Sequence, residues 1–174
     1  MKFLIGILVG VILTGAAIIS YLVFGFAPVA VADKPLPFER SICDRAVDAH
    51  IARQPQAESP LVVNEANLVS GAYLYGMDCA GCHGLPGKPK GAMPSAMYPP
   101  PPQFFGGHGE HGGDPIGEIY WKVDNGIRLT GMPSFKGILS ETELWQVSEV
   151  VANANALPDA AKSALASADS DTSK

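Results

Sequence analysis

The sequence predicts an all-α protein in which one N-terminal transmembrane helix precedes a small helical domain. Residues 3–32 contain no charged residue, and residues 3–26 alone exceed the roughly 20 apolar residues that span a bilayer. Three later segments have helical apolar spacing with capping signals, and none shows the alternation of a strand. Glycine and proline recur every few residues from 76 to 113. A loop of this length inside a small domain usually carries function or surrounds a ligand.

The N-terminal segment determines the compartment. Lys2 is the only cation before the apolar run, which favours a cytoplasmic N-terminus and export of everything after Ala32. We therefore expect residues 1–32 to anchor the chain in a bacterial cytoplasmic membrane, with the folded domain in the periplasm. The alternative is a signal peptide cleaved after Ala32, because Ala30-Val31-Ala32 fits a cleavage site. The apolar core of a signal peptide is usually only about 7–15 residues long, which favours the anchor.

The exported part divides into three segments. Residues 33–63 are predicted to be a linker with a weak helix at 38–53, and residues 64–157 form the helical domain. Residues 158–174 are dominated by Ala, Ser and Asp and lack aromatic residues, which predicts a disordered tail.

Local capping chemistry defines the three helices of the domain. Asn64 is the predicted N-cap of the first helix, which runs through Tyr75. Asp114 and Pro115 predict the start of the second helix, and Gly126 predicts its end. The third helix begins with a capping box and continues with an apolar stripe. The residues that define it are Ser140, Glu143, Leu144, Val147 and Val151.

Charge and cysteine content exclude several classes of protein. Only 17% of the residues are charged, and the part after residue 32 has eleven basic and seventeen acidic residues, a net charge of −6. An acidic body argues against nucleic-acid binding, which needs a basic face. It favours a protein partner with a basic docking patch. Three cysteines are too few for a disulfide-dense scaffold.

Cys79-Ala80-Gly81-Cys82-His83 is a C-x-x-C-H motif, the attachment signature of c-type haem. Two thiols three positions apart can reach the two vinyl groups at one porphyrin edge and form thioethers, and the histidine that follows then lies beneath the iron. Ala80 and Gly81 are small, as a backbone that packs against the ring requires. The sequence therefore predicts one covalently attached haem c, held by Cys79 and Cys82, with His83 as an axial ligand of the iron.

A zinc site, a redox pair and a simple disulfide fit the motif less well than haem does. A structural zinc site needs four ligands, and Cys43 is the only further cysteine. A thioredoxin-like redox pair requires a strand before the motif, and no such strand is predicted. A simple disulfide leaves His83 and the long loop unexplained.

From about residue 65 to residue 157 the chain resembles class I c-type cytochromes. Gly71 and Tyr75 precede the motif where that family packs its first helix against its last, and Trp145 and Val151 resemble the partner positions. More narrowly, the chain resembles membrane-anchored monohaem cytochromes with a domain similar to the haem domains of cbb3-type oxidase subunit III. The resemblance implies electron transfer rather than catalysis. It also implies a proline carbonyl that accepts a hydrogen bond from the axial histidine, for which the candidates are Pro94, Pro99 and Pro100.

Met132 is the favoured sixth ligand of the iron. It lies on a Gly-Met-Pro turn between two predicted helices, and this turn resembles the methionine loop of the family. Met93 and Met97 lie in the loop after His83 and are explained as core contacts. His108 and His111, in a glycine-rich segment, are the alternative ligands; a solvated loop also explains them.

These features predict an electron-transfer cytochrome with one His/Met-ligated haem, which exchanges electrons with redox partner proteins and turns over no substrate. The first alternative is the haem c subunit of a membrane oxidase, reductase or dehydrogenase. The second is a haem enzyme or gas sensor with an open sixth position. Cys43 has no assigned role.

Overall fold

The computed structural model describes residues 2–55, 57–105 and 113–172. Within these ranges the chain is helical and has no β-strand, and Lys136 and Leu139 form only an isolated bridge. The prediction of an all-α fold is confirmed. The helices of the described residues are α1 Lys2–Val23, α2 Glu39–Ile51, α3 Glu65–Asp78, α4 Ala80–His83, α5 Ala92–Ser95, α6 Ile116–Asn125, α7 Glu141–Ala152 and α8 Asp159–Thr172.

The chain divides into two units, residues 1–39 and residues 40–174. The first unit is dominated by α1, which is 22 residues long and apolar enough to cross a membrane. At about 1.5 Å per residue its length is close to the roughly 30 Å of a bilayer core. A signal sequence at this position would form the same kind of helix. The length and composition of α1 therefore make it a candidate membrane span. They fit a membrane anchor and a signal sequence alike.

The second unit begins at Arg40, so it includes α2. Ile51 at the end of α2 is buried, and the His50 ring lies 5.4 Å from the Trp121 ring of α6. These contacts place α2 in the folded unit, which therefore starts earlier than residue 64, where the sequence predicted it. The predicted helix itself is present within residues 38–53.

The core of the second unit forms where α3 packs on α7. Gly71 of α3 lies so close to the backbone of α7 that a Cβ atom there would overlap the carbonyl of Gln146 and contact Val150. Tyr75 and Val150 are fully buried beside this contact. The small residue and the aromatic residue thus have the predicted role. The partner of Gly71 is the Gln146 backbone, while Trp145 stacks on Tyr120 of α6 at 4.0 Å.

Two of the three predicted helix starts are confirmed. The Asn64 side chain accepts a hydrogen bond from the Asn67 N–H at 2.9 Å, and Ser140 and Glu143 form the reciprocal capping box. The predicted cap at Asp114 is wrong. Pro115 is the N-cap of α6, and the Asp114 carboxylate instead accepts from Lys122 Nζ at 2.9 Å. Lys122, which lies on α6, therefore holds the Asp114 carboxylate in an ion pair.

The predicted disordered tail is wrong for residues 159–172, which form α8 and pack against α3. The residues that hold α8 in place are apolar and four positions apart, and each is almost fully buried. They are Leu157, Ala161 and Leu165. Overall composition concealed this stripe, because Ala, Ser and Asp dominate the remaining positions of the segment.

Replacing Leu165 with alanine should lower the free energy of unfolding by about 2–5 kcal/mol, since Leu165 is 1% exposed and the cavity would lie between two helices. Denaturant unfolding of the intact protein measures this change. Leu129→Ala is the matched control, because Leu129 is 95% exposed and its truncation should alter stability by less than about 0.5 kcal/mol. Equal stability of the two variants would support a disordered tail instead.

Candidate functional site

The C-x-x-C-H motif forms a single helical turn directly after α3. The Cys79 N–H donates to the Tyr75 carbonyl at 2.9 Å, and the N–H groups of Cys82 and His83 both donate to the Cys79 carbonyl, at 3.1 and 2.9 Å. Gly84 ends the turn with a φ of +78°, a conformation that favours glycine. The two cysteines and the histidine are therefore held within one turn, and all three are half-buried.

His83 is oriented by the loop that follows. Its Nδ1 atom lies 2.9 Å from the Pro102 carbonyl oxygen. A carbonyl can only accept, so Nδ1 carries the proton and Nε2 carries the lone pair that binds metals. The Phe104 ring stacks on the imidazole, with the centroids 4.8 Å apart and the planes 16° apart. The imidazole is thus fixed in tautomer and in orientation.

The proline that accepts this hydrogen bond is Pro102 and none of the three predicted candidates. Pro94 is buried in α5, and Pro99 and Pro100 precede the acceptor in the run of prolines. The kind of acceptor was predictable, but its position depends on how the loop folds back on the motif, which the sequence pattern does not specify.

Tyr75 connects α3 to the end of the motif. It is fully buried, and its hydroxyl donates to the Gly84 carbonyl at 3.0 Å. Burial raises the pKa of Tyr75 well above its ordinary value, so the hydroxyl remains a donor at any physiological pH. Its ring also meets Phe104 and Phe105 edge to face.

The Cys79 thiol does not resemble a catalytic thiol, and the motif does not resemble a zinc site. Burial, with smaller contributions from Asp78 and Cys82, raises the pKa of Cys79 to about 12. A catalytic thiol needs the opposite shift, because the thiolate is the reactive form. Among the described residues no group of three or more His, Cys, Asp or Glu side chains is arranged to hold a metal ion. The side chains of the motif therefore do not form part of a four-ligand tetrahedral zinc site.

Met132 lies on a closed loop between α6 and α7. The Ile127 N–H donates to the Met132 carbonyl at 3.2 Å. The Thr130 hydroxyl donates to the Ile127 carbonyl at 2.7 Å and accepts from the Met132 N–H at 3.1 Å. Met132 is half-buried against the apolar core that Cys79 also borders. The loop is therefore internally fixed and presents Met132 toward the core.

The other candidates for the sixth ligand differ in position. Met93 is 61% exposed, whereas Met97 is half-buried with its methyl group against Gly131, immediately before Met132. Met97 is thus a packing contact of the methionine loop, as the core-contact interpretation expects, whereas that interpretation is wrong for the exposed Met93. His108 and His111 lie outside the described residues. Cys43 is exposed on α2.

The residues present fit a covalently attached haem. Cys79 borders the apolar core, and Cys82 and His83, whose lone pair is on Nε2, lie in the same helical turn. The Met132 thioether lies on a second loop against the same core. Half-buried apolar side chains complete this border, as a large flat cofactor with an apolar face requires. They are Phe104, Phe105, Tyr120, Phe135 and Leu139.

Fold and site together define a c-type cytochrome haem domain. Residues 66–149 match the model of the family described as "Cytochrome C oxidase, cbb3-type, subunit III", a range that includes the motif and the Met132 loop. The predicted resemblance is therefore confirmed, and the chain contains a cytochrome c domain of this kind. No curated protein and no solved structure matches the chain.

Sequence reasoning missed two residues that contact the motif. Phe104 stacks on its ring, and the Gln103 side chain contacts the backbone of the motif. Both follow the run of four prolines in the sequence. This position could have indicated them, because a rigid segment restricts where the next residues can lie.

Replacing Tyr75 with phenylalanine should lower the free energy of unfolding by about 1 kcal/mol, because the Gly84 carbonyl loses its donor while the packing of the ring is kept. Tyr73→Phe is the control, since Tyr73 lies on the same helix but is largely exposed. Denaturant unfolding monitored by haem absorbance compares them. Equal stability of both variants would contradict a structural role for this hydrogen bond.

Proposed function

We propose that the protein is an electron-transfer cytochrome that carries one His/Met-ligated haem c on the outer face of a bacterial cytoplasmic membrane. The observation that carries this proposal is the 2.9 Å contact between His83 Nδ1 and the Pro102 carbonyl. This contact directs the Nε2 lone pair of His83 away from the loop. His83 directly follows Cys82, the second of the two attachment cysteines. The haem supplies an iron that alternates between the ferrous and ferric states.

Each site residue has one role in this proposal. Cys79 and Cys82 would hold the haem through two thioethers, and His83 would bind its iron through a nitrogen. Met132 would supply a sulfur ligand, which would favour ferrous iron and a comparatively high potential. Because protein side chains would fill both ligand positions, the haem would offer no position for a substrate, and the protein would be an electron carrier and not itself an enzyme.

A subunit role in a membrane complex is the second candidate function. The match of residues 66–149 to the cbb3-type subunit III model favours an oxidase complex over an independent carrier. In both cases α1 is the membrane anchor, with Lys2 on the cytoplasmic side. Cleavage after Ala32 would release the same domain into the periplasm.

The segments next to the proposed ligands are basic, whereas the exported part as a whole is acidic. Segments 84–105 and 126–139, which contain the loops on either side of the core, have four basic residues and no acidic residue. Lys90 and Arg128 are exposed, whereas Lys136 lies 3.4 Å from Asp124 and is partly compensated. Docking depends on local charge, so we expect an acidic patch on the redox partner instead of the basic one inferred from net charge.

Replacing Cys82 with serine should leave at most one thioether and sharply reduce the yield of protein with bound haem. Mass measurement under denaturing conditions and haem staining of gels measure attachment. Cys43→Ser is the control, because Cys43 is exposed on α2 and should not affect attachment. Normal attachment in the Cys82 variant would contradict the assigned role of the motif.

Replacing Met132 with alanine should keep the covalent haem but remove the sulfur-to-iron charge-transfer band of the ferric protein. The ferrous variant should bind carbon monoxide, and its reduction potential should fall. Met93→Ala, at an exposed methionine, should change none of these properties. If the Met132 variant is unchanged and a His108→Ala, His111→Ala double variant opens the iron, the sixth ligand lies in that segment instead.

Oxidation of the ferrous protein by hexacyanoferrate(III), a small anion, should slow as ionic strength increases, because segments 84–105 and 126–139 carry basic and no acidic residues. Lys90→Glu should lower the rate at low salt. Lys162→Glu changes the net charge equally on α8 and should leave the rate nearly unchanged. A wild-type rate that rises with salt would mean that the overall negative charge governs docking.

A further inference from the structure

The proline segment (residues 99–102) raises a structural problem. Proline has no backbone N–H, so these four residues cannot anchor themselves to the rest of the domain through donors of their own. Nevertheless, one of their carbonyls, that of Pro102, has to stay within hydrogen-bond distance of His83 Nδ1. The donors that hold the segment in place must therefore come from a neighbour.

Gln103 supplies these donors. Its side-chain Nε2 donates to the Cys82 carbonyl at 2.9 Å and to the Pro101 carbonyl at 3.2 Å. Cys82 directly precedes His83, and Pro101 directly precedes Pro102. One amide group thus joins the two residues adjacent to the partners of the His83 hydrogen bond.

The backbone of the motif leaves room for this amide. Gly84 has a φ of +78°, and a Cβ atom at this position would overlap Gln103 Oε1. The Gln103 side chain therefore lies directly over the end of the motif, where only a glycine allows it to fit. Gln103 is half-buried, so water competes weakly with its two hydrogen bonds.

We propose that Gln103 is a positioning residue that fixes the Pro102 carbonyl against His83 and thereby tunes the iron. The inference rests on the proposed haem function. A strong hydrogen bond from Nδ1–H makes the imidazole a better donor at Nε2, which stabilises ferric iron. Without the Gln103 amide the proline segment loses its side-chain hydrogen bond to the Cys82 carbonyl, the hydrogen bond from His83 to Pro102 lengthens, and the balance shifts toward ferrous iron.

Gln103→Leu should therefore raise the reduction potential. The expected shift in the ferrous-to-ferric ratio is about threefold, or about 28 mV at 59 mV per tenfold change. The His83 Nδ1 proton should also exchange with solvent faster, as measured by NMR of the ferrous protein.

Gln146→Leu is the matched control. Gln146 Nε2 donates to Asn67 Oδ1 at 3.1 Å between α7 and α3, so this variant removes a side-chain amide contact of the same type away from the motif. It should lower stability without altering the potential or the exchange of the His83 proton. Equal potentials for wild type, Gln103→Leu and Gln146→Leu would overturn the inference.

Two further measurements make the inference testable if Gln103→Leu fails to assemble. Gln103→Asn keeps the amide but is one methylene shorter, and it should shift the potential in the same direction by less. In the wild-type protein the side-chain amide protons of Gln103 should exchange slowly, and fast exchange would overturn the inference. Absence of haem from the wild-type protein would instead refute the proposed function itself.

Discussion

The hydrogen bond between His83 and the Pro102 carbonyl is the constraint on which the rest of the site depends. It selects one tautomer of the imidazole and so determines which nitrogen is available to a metal. Phe104 fixes the plane of the ring, and Tyr75 fixes the end of the turn that carries it. A histidine on a short turn could otherwise rotate freely. In the proposed function, this immobilisation is what suits His83 to be a ligand.

The helices supply the rigidity that this arrangement needs. α3 and α7 approach closely at Gly71, and α8 covers another part of α3, so the helix that leads into the motif is held on two sides. The methionine loop is closed by its own hydrogen bonds and rests on Met97. The proposed ligands therefore come from two short segments, each held by its own hydrogen bonds.

Local chemistry explains which features could be predicted from the sequence. The cap at Asn64, the capping box at Ser140 and the C-x-x-C-H motif each depend on a few neighbouring residues, and the sequence was sufficient to predict them. Asp114 was mispredicted because Lys122, a full two turns along the chain, competes for its carboxylate. The choice of Pro102 depends on contacts between distant segments, which spacing does not encode. The apolar stripe of α8 was concealed by the Ala, Ser and Asp residues around it.

The most direct test of this account is the protonation of His83 in the haem-loaded ferrous protein, measured by NMR with nitrogen-labelled histidine. The account predicts that Nδ1 carries a proton and that Nε2 carries none. A proton on Nε2 of His83, while the haem remains attached, would contradict the account.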